Sequence, residues 1–134
     1  MTNRTENKRL MQAAFVELAK GNGQPFVETL SEDVVWTIAG HSQWSRSWRG
    51  KHEVMNSLIR PLFARFAEVY TNEALRFIAE DDHVVIECRG KVLTKSGHRY
   101  DNHYCYVCRF ENGKLAELIE YMDTELAMRA LGAP

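Results

Sequence analysis

Two stretches near the C-terminal end each place a single strongly polar side chain among apolar ones. In KLAELIEYMD, Lys114 to Asp123, strict alternation puts Ala116, Leu118, Glu120 and Met122 on one side. Three of these are apolar, so that side faces a core and Glu120 is a carboxylate in apolar surroundings. Desolvation disfavours its charged form and raises its pKa toward neutrality, which suits a group that must both take and give a proton. In YDNHYCYVCRF, Tyr100 to Phe110, the even positions are Tyr100, Asn102, Tyr104, Tyr106, Cys108 and Phe110. Asn102 is the only strongly polar side chain among them and is placed to donate to a carbonyl or enolate oxygen. Two neighbouring strands that each point one polar group inward outline a pocket.

Other residues could complete it. Tyr104 and Tyr106 share the face of Asn102 and carry hydroxyls able to polarise a ligand oxygen. His41, in the loop GHSQWSRSWRG, is of the type that shuttles protons near neutral pH. Trp36 is expected on the cavity floor, Trp44 and Trp48 near the mouth, and Cys88 and Cys108 as small inward positions on the wall. Such a lining suits a flat, hydrophobic ligand. Each residue also has a plainer reading. Glu120 and Asn102 can satisfy one another, or Glu120 a tyrosine, arginine or backbone N–H. Trp36 and the tyrosines can be ordinary core, and His41 can be merely solvated.

Several tempting motifs fail on their spacing. Cys105 and Cys108 form a CxxC, but an odd separation on a strand sends them to opposite faces, where they cannot share a metal. No HxH, HExxH or acidic cluster offers a metal site, so neither metal nor cofactor is expected. GHSQW lacks the second glycine of a nucleophile elbow, and RGKH lacks the upstream glycine of a phosphate-binding loop. His52, His83 and His98 fall at turns or on a helix surface, and His103 faces away from Asn102.

The chain has 134 residues, enough for one domain with a real core. A net charge of −1 with scattered lysines and arginines gives no electrostatic ground for binding nucleic acid or membranes. No apolar run approaches the ~20 residues that span a bilayer. The polar start MTNRTENKR does not read as a signal peptide, and three cysteines suit a reducing compartment, so a cytoplasmic location is expected.

The elements that must position the candidate residues follow from periodicity. Thr2 to Lys20 carries apolar residues at helical spacing and stops at Gly21-Asn22-Gly23. Gln24 to Leu30, with Pro25 near its start, predicts a second short helix. Val34, Trp36 and Ile38 alternate in a first strand, and Gly40 to Gly50 reads as irregular loop. Val54 to Phe66 predicts a longer helix kinked at Pro61, which lacks an N–H and crowds the carbonyl of Ser57. Glu73 to Glu80 should face Leu75, Phe77 and Ala79 inward, and His83 to Thr94 should face Val84, Ile86, Cys88, Gly90 and Val92 inward. Turns at Asp81-Asp82, Lys95-Ser96-Gly97 and Glu111-Asn112-Gly113 link these strands to the two that carry Asn102 and Glu120. Asp123 or Thr124 can cap a terminal helix ending at Gly132. Helices followed by a meander predict an α+β fold, a curved and mostly antiparallel sheet wrapped around the N-terminal helices. Its outer face, with Val85, Leu93, Cys105, Val107, Leu115, Ile119 and Tyr121, is too apolar to stay fully wet.

SEDVVWTIAG leading to WRGKHEV, and YDNHYCYVCRFENGKLAELIEYMDT with its Tyr–Asn–Tyr strand, Gly-Lys turn and Glu-Tyr-x-Asp-Thr close, resemble the nuclear transport factor two-like superfamily. Within it the SnoaL-like polyketide cyclases and ketosteroid isomerase-like proteins look most similar. The resemblance covers nearly the whole chain and implies a conical cavity between sheet and helices, and a two-fold dimer through the outer sheet face. Glu120 matches the last-strand position of a catalytic aspartate in limonene epoxide hydrolase-like members. Those enzymes also need an arginine and an aspartate two apart on an earlier strand, where this chain has Cys88 and Gly90, with Arg89 adjacent but facing outward. That activity is therefore not carried over, nor is the ketosteroid isomerase set of tyrosine, neutral aspartic acid and separate base. The resemblance implies a cofactor-independent isomerase, cyclase or dehydratase acting by proton transfer on a small hydrophobic carbonyl compound. The alternatives are a non-catalytic binding or assembly domain and a small subunit of a ring-hydroxylating oxygenase.

Overall fold

The computed structural model describes residues 3–134 and is built from two short helices, a six-stranded sheet and helices that close one end of it. Helix α1 (Arg4–Leu18) turns Met11, Ala14, Phe15 and Leu18 inward, the i, i+3, i+4, i+7 stripe of an amphipathic helix. Thr2, its expected first residue, lies outside the described residues. The chain turns away from the helix at Gly21, whose φ of +90° and close approach to Val69 both require a residue without Cβ. Helix α2 (Gln24–Thr29) follows with Pro25 in its first turn.

Strand β1 (Leu30–Ile38) begins four residues before the expected VVWTI core. Part of the predicted loop is instead a short edge strand, β2 (Ser47–Arg49), antiparallel to β1 with Trp36 opposite Trp48. Strands β3 (Thr71–Glu80), β4 (His83–Lys91), β5 (His103–Glu111) and β6 (Lys114–Met122) form the expected antiparallel meander. The sheet order is β2-β1-β6-β5-β4-β3, and β1 runs parallel to β6. This single parallel pair closes the chain's first strand against its last. It thereby brings Trp36 and Ile38 beside Leu118 and Glu120.

Two irregularities correct the simple alternation. The register shifts between Ala74 and Arg76, so Asn72 and Ala74 face inward before the bulge and Phe77 and Ala79 after it. Leu75, expected inside, is 44% exposed. One extra residue reverses the phase of everything on its far side. A second shift, opposite Arg109 and Phe110, leaves both Leu115 and Ala116 buried, so Leu115 belongs to the core and not to the outer face. Val85, Cys105, Val107 and Ile119 do lie half-buried on that outer face, with Tyr121 exposed.

The predicted kinked helix is resolved into three parts: α3 (Lys51–Glu53), a π-helical stretch Val54–Ile59, and α4 (Arg60–Phe63). The Arg60 N–H reaches five residues back to the Met55 carbonyl, so the wider π turn absorbs the strain that Pro61 would place on the preceding turn. Phe66 lies beyond the helix and bridges to Thr94. Helix α5 (Thr124–Leu131) is capped by Asp123, whose Oδ1 accepts from the Leu126 N–H at 3.1 Å, and ends at Gly132. Among the described residues no helix is long and apolar enough to cross a membrane.

Candidate functional site

The inward faces of the sheet, α2, the π turn and α5 enclose a cavity of about 130 Å³. Its apolar wall includes Phe26, Leu30, Trp36, Ile38, Leu58 and Leu131. Its polar groups are few: Glu120, Asn72 and the hydroxyls of Tyr70, Tyr100, Tyr104 and Tyr106. Phe26, Trp36 and Tyr106 meet in edge-on and tilted contacts with ring centroids 6.1–6.4 Å apart. Such aromatic contacts hold the surrounding side chains in single orientations.

Glu120 stands on this wall, 7% exposed, directly across from Tyr106 in the β5–β6 ladder. The Trp36 indole N–H donates to its Oε1 at 2.9 Å. No described group bonds Oε2, yet Oε2 is not among the fully enclosed unpartnered atoms. The free oxygen therefore meets the cavity. Burial pushes the Glu120 carboxyl up to about 7, against the opposing pull of the Trp36 N–H. Its proton is thus exchangeable near neutral pH. The charge of an ionised Glu120 in turn helps hold the four neighbouring tyrosines protonated, Tyr100 at about 12 and the others also raised well above the ordinary phenol value, burial being the larger cause in each case.

Asn72 organises two of these hydroxyls. Its Nδ2 donates to Tyr70 Oη at 3.2 Å and to Tyr106 Oη at 3.5 Å, leaving both hydroxyl protons free to point elsewhere. Tyr70 reaches in from the chain before β3. Its ring is partly exposed, but its hydroxyl end is sequestered against Gly90, where an added Cβ would lie 2.4 Å from Oη. Gly90 is thus not an empty catalytic position but the slot that admits Tyr70. Neither Asn72 nor Tyr70 emerged from sequence as a site residue. Tyr70 precedes the strand, and the bulge at Ala74–Arg76 hid the inward phase of Asn72. The only signal was a lone Asn two residues after a Tyr at the start of an alternating run.

Among the sequence candidates, Glu120, Tyr104, Tyr106, Trp36 and Trp44 come together on the cavity. Trp44 is buried. Its indole N–H donates to the Gly132 carbonyl at 2.7 Å, while Arg65 lies 5.0 Å from its ring centroid and donates to the Leu131 carbonyl. These contacts pin the end of α5 against the cavity. The structure places the other candidates away from the cavity lining. Asn102 does not line the cavity or bond Glu120. Its Nδ2 donates to Asp123 O at 3.1 Å and to Tyr100 Oη at 3.3 Å, and its Oδ1 accepts from the His103 and Asp123 N–H groups. Its bonding capacity is spent joining β5 to the start of α5.

His41 is exposed on its loop and outside the lining. Trp48 is core on the edge strand, 2% exposed, with the Arg46 guanidinium 5.0 Å from its ring. Cys88 and Cys108 are fully buried but off the cavity, because their short side chains end near the sheet while the neighbouring tyrosines reach past them. No cluster of metal-ligating side chains is found among the described residues.

A curved, unclosed sheet packed against N-terminal helices is the architecture of nuclear transport factor two-like structures. A family model for the SnoaL-like domain matches residues 11–118, and the chain belongs to that family. Solved structures agree on the fold. An NTF2-like protein of unknown function from Burkholderia pseudomallei is 21% identical, with a TM-score of 0.79 over 96% of this chain and 98% of that one. A putative SnoaL-like polyketide cyclase from Jannaschia is 18% identical, with a TM-score of 0.78 over 98% and 94%. AclR, a putative hydroxylase from Streptomyces galilaeus, is 17% identical, with a TM-score of 0.74 over 98% and 89%. Comparison with curated protein sequences returns no significant match.

Proposed function

We propose that the protein is a cofactor-independent proton-transfer enzyme acting on a small hydrophobic carbonyl compound. The observation that carries this reading is the half-bonded carboxyl of Glu120. One oxygen is anchored by Trp36, the other faces an apolar cavity, and the proton is exchangeable near pH 7. Ionised Glu120 removes a proton from the carbon next to the carbonyl. The electron pair of that C–H bond moves to the carbonyl oxygen, and the enolate so formed is stabilised by tyrosine O–H donors, of which Tyr106 and Tyr104 are the best placed. In an isomerisation, neutral Glu120 then returns the proton to a different carbon and is restored. A cyclisation or dehydration would begin with the same abstraction. The polyketide cyclase name carried by one structural neighbour is consistent with such chemistry.

The test is α-proton exchange of cyclic ketones of one to four rings in deuterated water, followed by NMR. Wild-type protein should exchange at least one of them, and Glu120→Gln should lower that rate at least 100-fold while keeping the fold. An equal rate in the variant refutes the role of Glu120. Saturable binding of these ketones without exchange assigns the cavity to ligand binding instead. We also propose that two copies pair through the outer sheet face, where Tyr121 and Ile78 stand exposed beside half-buried Val85 and Cys105. Light scattering of wild type and Tyr121→Lys should read a dimer and a monomer respectively.

A further inference from the structure

Resting on the proton-transfer reading, we infer that the substrate is a neutral compound with a single ring that enters oxygen-first, and that fused ring systems and carboxylates are excluded. Size comes first. An apolar protein cavity of ~150 Å³ holds one benzene, and the space here is about 130 Å³. One six-membered ring therefore fills it. Two fused rings would have to displace Trp36, Phe26 or Leu58, all buried and packed on the main core.

Orientation follows from where polarity sits. Glu120, Asn72, Tyr104 and Tyr106 are each at most 7% exposed and form the deep end. Val27, Ile59, Leu62 and Phe63 are part-exposed to exposed and wholly apolar, and they form the rim. A ligand oxygen left at that rim would gain no partner, whereas at the deep end it meets tyrosine O–H donors. A short apolar substituent can pass the rim, but a second ring cannot lie beside the first.

Charge is decided by what is missing from the wall. No lysine, arginine or histidine among the described residues lines the cavity, and its one ionisable acid is Glu120. A bound carboxylate would sit desolvated, without a cation and beside a group of its own sign. Two such carboxyls cannot both stay ionised. A ketone, enone or phenol carries no such penalty.

Calorimetric titration at pH 8 tests the size and charge limits, using cyclohex-2-enone, 1-tetralone, a four-ring steroid ketone, and the near-isosteric pair benzamide and benzoate. The expected result is saturable binding of cyclohex-2-enone and benzamide, with 1-tetralone, the steroid and benzoate each at least tenfold weaker. Leu58→Ala, which removes three carbons from the wall, should recover at least tenfold in 1-tetralone binding. Fused-ring ketones that bind as tightly as cyclohex-2-enone overturn the size limit, and benzoate matching benzamide overturns the charge rule. Absence of binding by any one-ring compound overturns the inference as a whole. Reading this series beside wild-type proton exchange separates it from the catalytic reading. A preserved size limit without wild-type proton exchange fails that reading alone, while exchange on fused-ring ketones fails this inference alone.

Discussion

Glu120 within β6 and Asn102 at the approach to β5 are each the polar residue of an inward alternation, and they have opposite fates. Glu120 makes one side-chain hydrogen bond and keeps an oxygen for the cavity. Asn102 uses both ends of its amide on Asp123, Tyr100 and the His103 N–H, and no part of it lines the cavity. An inward polar residue is a candidate for chemistry only when bonding capacity is left over. Asn102 has spent its capacity holding the β5–α5 junction; Glu120 has not.

The sharpest way to break this contrast is kinetic. Glu120→Gln should lose at least 100-fold in proton exchange, whereas Asn102→Ala should stay within about threefold per folded molecule. A large loss from both variants would merge the two regions into one site. Stability should show the reverse order. Asn102→Ala leaves the Asp123 N–H without its partner in a part-buried setting, while the Asp123 carbonyl keeps the Ala127 N–H at 3.2 Å. At ~1–3 kcal/mol for an unsatisfied group, the loss should be about 2 kcal/mol in urea unfolding.

Glu120 makes its own mark on stability through pH. Its folded-state pKa, about 7, lies above the ordinary 4.5, so the folded chain holds a proton that the unfolded chain has released. Stability from this group is therefore complete below pH 4.5, is lost as pH rises to about 7, and is flat above. The difference amounts to ~3 kcal/mol. The groups facing it, Tyr70, Tyr100, Tyr104, Tyr106 and Cys88, all titrate higher and leave that window to Glu120. Measured against Glu120→Gln to cancel other carboxylates, the wild type should lose this amount between pH 4.5 and 8. A flat difference would place Glu120 in water and remove the basis of the comparison. The smallest effect is expected at Gly90. A methyl group there must push the Tyr70 hydroxyl out of its slot, at a cost of about 1–2 kcal/mol in unfolding and with a measurable change in cavity binding.

How far the site was legible in the sequence depends on how local its causes are. The inward faces of β4 and β5 were readable because alternation is unbroken along them, from Val84 to Gly90 and from Tyr104 to Phe110. The same rule failed across the two bulges. It put Leu75 inside and Leu115 outside and concealed Asn72, since one inserted residue reverses the phase and leaves no mark in composition. His41 and Trp48 were drawn toward the cavity because a loop has no periodicity from which to read direction.

The sequence by itself determined that this chain is an α+β domain with a curved sheet, that Glu120 faces inward, and that aromatic side chains surround it. Those are consequences of period, turn residues and side-chain polarity, each set within a few positions. Only the tertiary structure decided which polar groups remain free. That depends on pairs far apart in the chain: Trp36 with Glu120, Tyr70 with Gly90, Asn72 with Tyr106, Asn102 with Asp123. Hydrogen-bonding capacity is shared among neighbours in space, and no local pattern records how it is divided.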